Sequence, residues 1–172
     1  MINRRTNKGV DVVPEISHHE LVDRAFLYLR TVGCSICFKE RVTSISENPD
    51  AMGFGGRQFS ILIECKSSRA DFITDAKKWF RKRPEEGMGY KRYFMSPVGM
   101  LKPSEIPCGW GLLEVYEKTP RMNRRVRIAV DAESFYERNK EAEIQYLVSA
   151  IRRINISMAV FIEPRPESEK EK

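Results

Sequence analysis

Gln58-Phe59-Ser60-Ile61-Leu62-Ile63-Glu64-Cys65-Lys66 is the strongest strand signal in the chain. It stays almost continuously apolar up to Glu64, as a strand covered on both faces does. Such a strand belongs at the centre of an α/β sheet. Alternation puts Glu64 and Lys66 on one face and Cys65 on the other. An acid and an amine ending an apolar strand are costly to bury. Either they are exposed as a surface pair at the sheet end, or they face a site that needs them.

Upstream of this strand, Asn48-Pro49-Asp50 is a turn signal, and Gly53, Gly55 and Gly56 prolong the loop. Farther back, Ser17 with Glu20 fits a capping box before a helix from about His18 to Arg30, in which Leu21, Val22, Ala25, Phe26 and Leu29 recur at the 3.6 period. Between them, 34–40 and 42–45 read as one strand or a short bent pair. Downstream, Ser68 caps a helix with Phe72, Ala76, Trp79 and Phe80 on its apolar face, closed by Pro84 and Gly87. Strands are expected at Lys91 to Ser96, Trp110 to Glu117 and Arg125 to Val130. A long helix is expected from about Glu133 to Asn155, with Leu147, Val148, Ile151 and Ile154 on one face. This order predicts one α/β domain with a central mixed sheet of four to five strands flanked by helices. Residues 1–16 read as a basic flexible arm, 17–160 as the folded domain and 161–172 as a charged, disordered tail.

At 172 residues, with 41% hydrophobic and 31% charged residues, the chain has the length and composition of one globular domain. No apolar run approaches a membrane span, and the N-terminus lacks the apolar stretch of a signal peptide. Four cysteines are too few for a disulfide framework. Cys34-x-x-Cys37 invites a zinc reading, but residues three apart on a strand face opposite sides, so ordinary reduced cysteines are expected. The compartment is then cytoplasmic. Thirty basic against 24 acidic residues give a net charge of +6, which leans toward a polyanionic partner. From Lys66 to Arg92 alone there are nine basic and four acidic residues. Within that stretch Arg69, Lys77 and Arg81 recur at roughly helical spacing, as residues tracking a phosphate backbone would. A second basic cluster, including Arg124 and Arg125, lies on an expected hairpin. A solvated helix face is the bland alternative.

The chemistry centres on Asp50, then thirteen residues, then Glu64-x-Lys66. Carboxylates are the oxygen ligands that Mg²⁺ and Mn²⁺ prefer. A lysine on the same face can orient a water or steady developing negative charge. Two carboxylates and one ammonium are a minimal kit for metal-assisted phosphodiester hydrolysis. Asp50 has a simpler reading as a turn-stabilising residue. His18 and His19 read first as polar residues at a helix N-terminus, with phosphate contact at a site entrance as the alternative. Ser68 opens the helix beside the site.

Pro49-Asp50 followed by Glu64-Cys65-Lys66 on a strand, after a helix carrying Glu20, resembles the PD-(D/E)XK nuclease superfamily. The longer string Ile63 to Phe72, with Asp75 and Lys77, is similar to a stretch of MmcB-like DNA-repair proteins. Pro49 to Gly53, Gly87 to Tyr93 and Glu105 to Leu113 resemble segments of small phage-encoded nuclease-like proteins. The resemblance covers about residues 17–117. It implies a restriction-endonuclease-like αβββαβ core that binds Mg²⁺ or Mn²⁺ and cleaves DNA in repair, recombination or phage DNA processing. By position, Asp50 and Glu64 would be metal ligands and Lys66 the catalytic lysine. Glu20 would be the helix carboxylate completing the shell, with Glu40 as a rival and His19 as a neighbour. The other reading is an inactive nuclease scaffold that binds DNA or a host protein. The C-terminal helix leaves a homodimer open.

Overall fold

The computed structural model describes residues 16–40, 47–75, 83–116 and 126–153. Along the chain run α1 (His18–Thr31), β1 (Ile36–Lys39), β2 (Ala51–Phe54), β3 (Ser60–Cys65), α2 (Arg69–Asp75), β4 (Lys91–Pro97), β5 (Gly111–Val115), β6 (Val126–Val130) and α3 (Lys140–Arg153). The strands form one mixed sheet in the order β1-β2-β3-β4-β5-β6. The pairs β3–β4 and β4–β5 are parallel; β1–β2, β2–β3 and β5–β6 are antiparallel. Among the described residues the sheet thus has six strands, one more than the upper expectation from sequence.

β3 is buried along its whole length, as its apolar run predicts. Ile61, Ile63 and Cys65 face α1, where Leu21, Val22, Ala25 and Leu29 lose all solvent contact. Each buried leucine there contributes roughly 1.5–3 kcal/mol. Leu62 faces the other way with Met52, Phe94 and Leu112, beneath Phe72 of α2 and Ala142 and Tyr146 of α3. Phe72 meets Phe94 edge-on at 5.1 Å, which seats α2 on the sheet.

Two elements differ from the sequence reading. The glycine-rich stretch after Asp50 is not all loop, because Ala51–Phe54 is a buried strand. Gly53 is there for clearance: a Cβ on it would lie 2.7 Å from Cys34 Sγ and 2.9 Å from Leu29 Cδ2. Glycine marks close approach of neighbouring side chains, not a turn. The last helix starts at Lys140 rather than near Glu133, with Asn139 Oδ1 accepting the Ala142 N–H at 2.9 Å. Its buried face is Ala142, Glu143, Tyr146 and Ala150, whereas Val148 and Ile151 are exposed. The two alanines allow close approach to the sheet, and Tyr146 fills the space against Phe38 and Phe54. Among the described residues, no helix is long and apolar enough to cross a membrane.

Candidate active site

Three sequence features converge at the carboxyl ends of the parallel strands, where open α/β sheets place their sites. Glu64 is near the end of β3, and the Lys66 N–H continues the ladder by donating to the Met95 carbonyl at 2.8 Å. Asp50 immediately precedes β2. The β2–β3 register pairs Ala51 with Ile63, so one further step sets Asp50 opposite Glu64. By alternation Met52 and Phe54 share the face of Leu62, Glu64 and Lys66. The same face carries Ser96 and Glu114, which are register partners on β4 and β5. Asp50 Oδ2 accepts the Cys65 N–H at 2.7 Å, which ties Asp50 to the end of β3.

Glu64 and Lys66 are not a surface pair. They keep only 3% and 4% of their surface. Lys66 Nζ donates to Asp75 Oδ1 at 3.1 Å and lies 3.6 Å from Glu64 Oε2 and 3.9 Å from Asp71 Oδ1. Burial alone would lower the Lys66 pKa, but Glu64, then Asp75 and Asp71, outweigh it and raise it. Lys66 is therefore an ammonium ion and not a free base near neutral pH. On the opposite face, burial followed by the Asp50 and Glu64 carboxylates pushes the Cys65 thiol well above its ordinary value. Cys65 is a packing residue. Among the described residues, the cysteines are free thiols, Cys34 raised to about 11 by burial and then by Cys37.

The other expected residues lie as follows. His18 of α1 lies beside Asp50, with Nε2 at 3.6 Å from Oδ1. Glu20, the helix carboxylate expected to complete the shell, pairs with Arg24 at 2.5 Å, and Arg24 donates in turn to the Tyr116 carbonyl. The capping role of Ser17 is present, as its Oγ accepts the Glu20 N–H at 3.2 Å. Glu40 enters through its backbone, donating to the Asp50 carbonyl at 2.9 Å, while its carboxylate lies 3.9 Å from His19. His19 also lies 3.6 Å from Asp23. Ser68 Oγ accepts the Asp71 N–H at 3.2 Å and so caps α2.

Arg69, expected to track phosphates, is clamped to Glu105 and to the Met100 carbonyl. Arg92 belongs to the basic count but not to any basic surface. It is buried over the Phe135 ring and donates to the carbonyls of Pro84, Gly87 and Gly89. Lys77, Arg81, Arg124 and Arg125 lie outside the described residues. Among the described residues, no group of three or more His, Cys, Asp or Glu side chains is arranged to hold a metal ion.

Asp75 is a residue of this cluster that the sequence does not single out as a site residue. The signal available for it was an acidic residue mid-helix, two turns past the strand, one position before an expected core alanine.

No protein-family model matches the chain, and no curated protein matches it. A solved structure that is similar in fold is that of the SPO1766 protein of unknown function from Silicibacter pomeroyi. The two share 24% identity at a TM-score of 0.57, over 82% of this chain and 91% of that one. At this identity the likeness establishes a shared fold and nothing about chemistry.

Proposed function

We propose that this chain is a metal-dependent deoxyribonuclease of the PD-(D/E)XK type, hydrolysing DNA phosphodiester bonds in the cytoplasm of a bacterium or of a phage-infected host. One observation carries the reading: Glu64 and Lys66 are held at the end of β3 despite burial, and Asp50 is tied to that same strand end through the Cys65 N–H. The order α1-β1-β2-β3-α2-β4 supports it, since it follows the αβββαβ core that the motif resemblance implies.

The donor set suits Mg²⁺ or Mn²⁺ in one particular way. Mg²⁺ takes one or two carboxylates and completes its shell with water and substrate phosphate. Asp50 and Glu64 would supply those carboxylates, with His18 as a neighbouring donor on the Asp50 side. A bound divalent ion would polarise the scissile phosphate and neutralise charge on it. Lys66, kept protonated by its carboxylate neighbours, would stabilise the negative charge that grows on phosphate oxygens as water attacks phosphorus. The fixed position of its ammonium is what burial provides, because a surface lysine loses that orientation to rotamer freedom.

The test is cleavage of single-stranded, duplex and branched DNA with Mg²⁺ or Mn²⁺, with chelator and with Glu64→Gln, alongside Mn²⁺ binding by calorimetry. Metal-dependent cutting lost in Glu64→Gln, together with Mn²⁺ affinity, is the expected result. DNA binding without cutting of any form, and without Mn²⁺ binding, would overturn it in favour of an inactive nuclease scaffold that binds DNA or a host protein.

A further inference from the structure

The geometry points to Asp75 of α2 as the residue that positions Lys66, making α2 part of the site and not only a helix beside it. This rests on the proposed cleavage reading and deepens it. Asp75 keeps 1% of its surface, so its carboxylate is desolvated at a cost that only a strong partner offsets. That partner includes Lys66, whose Nζ donates to Asp75 Oδ1 at 3.1 Å. The lysine is thus held between two buried carboxylates, Glu64 on its own strand at 3.6 Å and Asp75 on the covering helix.

A lysine has four rotatable side-chain bonds and a spherical charge, so one carboxylate fixes its distance but not its direction. A second carboxylate from a different element fixes both. α2 is itself anchored at two places, by Phe72 against Phe94 and by Arg69 on the Met100 carbonyl and Glu105. The position of Asp75 is therefore set by the fold before any substrate arrives, which is the arrangement electrostatic preorganisation requires. Asp75 does not touch the reacting atoms in this scheme; it acts through Lys66.

The experiment measures Lys66 itself and, separately, turnover. Acetic anhydride labelling read by mass spectrometry compares Lys66 with exposed Lys102 in the same protein. Lys66 is expected to react at least about tenfold more slowly than Lys102, and Asp75→Asn to shorten that gap several-fold with the circular dichroism spectrum kept. In single-turnover DNA cleavage, Asp75→Asn is expected to lower the rate about tenfold to a hundredfold with DNA affinity and Mn²⁺ affinity unchanged. Asp75→Glu is expected to recover part of that loss. Unchanged Lys66 labelling in a folded Asp75→Asn protein would overturn the proposal. So would loss of DNA affinity in step with rate. If Asp75→Asn does not fold, wild-type Lys66 labelling as fast as Lys102 would overturn it, and slow labelling with a slowly exchanging Lys66 NH₃⁺ resonance would support it. Failure of the wild type to cut any DNA while Asp75→Asn still exposes Lys66 would sink the cleavage reading and leave the positioning contact standing.

Discussion

Asp50 divides its carboxylate between fold and site: Oδ2 accepts the Cys65 N–H at 2.7 Å, and Oδ1 lies 3.6 Å from His18 Nε2. The Pro49-Asp50 turn is thereby tied to the end of β3, one residue beyond Glu64. A charge-assisted bond to a buried amide is worth more than a neutral one. Asp50→Ala orphans the Cys65 amide, with an expected cost of about 1–3 kcal/mol. Asp50→Asn keeps an acceptor oxygen and is expected to cost less, while still removing the anion. Urea unfolding of both variants checks this, and an Asp50→Ala protein as stable as wild type would show that the bond contributes nothing.

Lys66→Met looks mild in the sequence alone, because methionine keeps much of the aliphatic stem. The burial of Glu64 and Asp75 reverses that expectation. Removing the cation leaves their carboxylates without its charge, and breaking a buried pair in this way costs about 3–5 kcal/mol. The pH dependence has a definite sign. The Lys66 pKa is raised above 10.5, so its contribution is full below that value and is lost as pH climbs through the folded value. The stability gap between wild type and Lys66→Met is expected to hold from neutral pH to about 10 and to narrow only above it. A gap that closes between pH 6 and 8 would contradict the raised pKa.

Gly53→Ala tests the least expected element of the fold. The added methyl would meet Cys34 Sγ at 2.7 Å, Cys34 Cβ at 2.9 Å and Leu29 Cδ2 at 2.9 Å. Overpacking of this kind costs about 1–3 kcal/mol. Gly56→Ala, where a Cβ would meet nothing within 4 Å, is the matched control and is expected to be near neutral. Thermal melts of the pair decide it: equal midpoints would mean that β2 and α1 are not in close contact at this point.

These variants also mark which parts of the molecule the sequence displays. β3 was legible because a strand covered on both faces leaves an uninterrupted apolar run, and alternation then put Glu64 and Lys66 together. β2 was not, because its four residues include a glycine selected by Cys34 and Leu29 across the interface, a cause invisible along the chain. The start of α3 is not legible because Glu133 to Arg138 has helix-compatible composition, while the Phe135 N–H donates to the Tyr90 carbonyl and the Arg138 guanidinium to the Gln58 carbonyl. Its inward face was misread because two alanines and a tyrosine cover less sequence hydropathy than Val148 and Ile151, which point outward. Glu20 pairs with Arg24 one turn on, a contact that the capping-box pattern of Ser17 and Glu20 does not announce. Asp75 belongs to the resembling string Ile63 to Phe72 with Asp75 and Lys77, but its contact with Lys66 is not legible there, since the two lie nine residues apart on different elements.

The clamp on Arg69 changes what it is expected to do with DNA. The hydrogen bonds from Arg69, then the Lys102 amide, pull Glu105 from 4.5 to about 2, so the carboxylate stays ionised at every ordinary pH. Its stabilising contribution is full above about pH 4.5 and is lost only as pH falls through 2. A phosphate must therefore compete with Glu105 for the guanidinium. Arg69→Ala is expected to leave the salt dependence of DNA binding nearly unchanged, where an uncommitted arginine would flatten the slope by about one unit. Glu105→Ala is expected to strengthen binding and steepen that slope by about one unit, as Arg69 becomes available. The double variant separates release of Arg69 from simple loss of a negative charge, because only the first vanishes when both residues are gone. Fluorescence anisotropy on a short duplex between about 50 and 200 mM salt measures all four proteins. A slope already flattened in Arg69→Ala would mean that Arg69 leaves Glu105 for phosphate in the complex, and the double variant would then match Arg69→Ala.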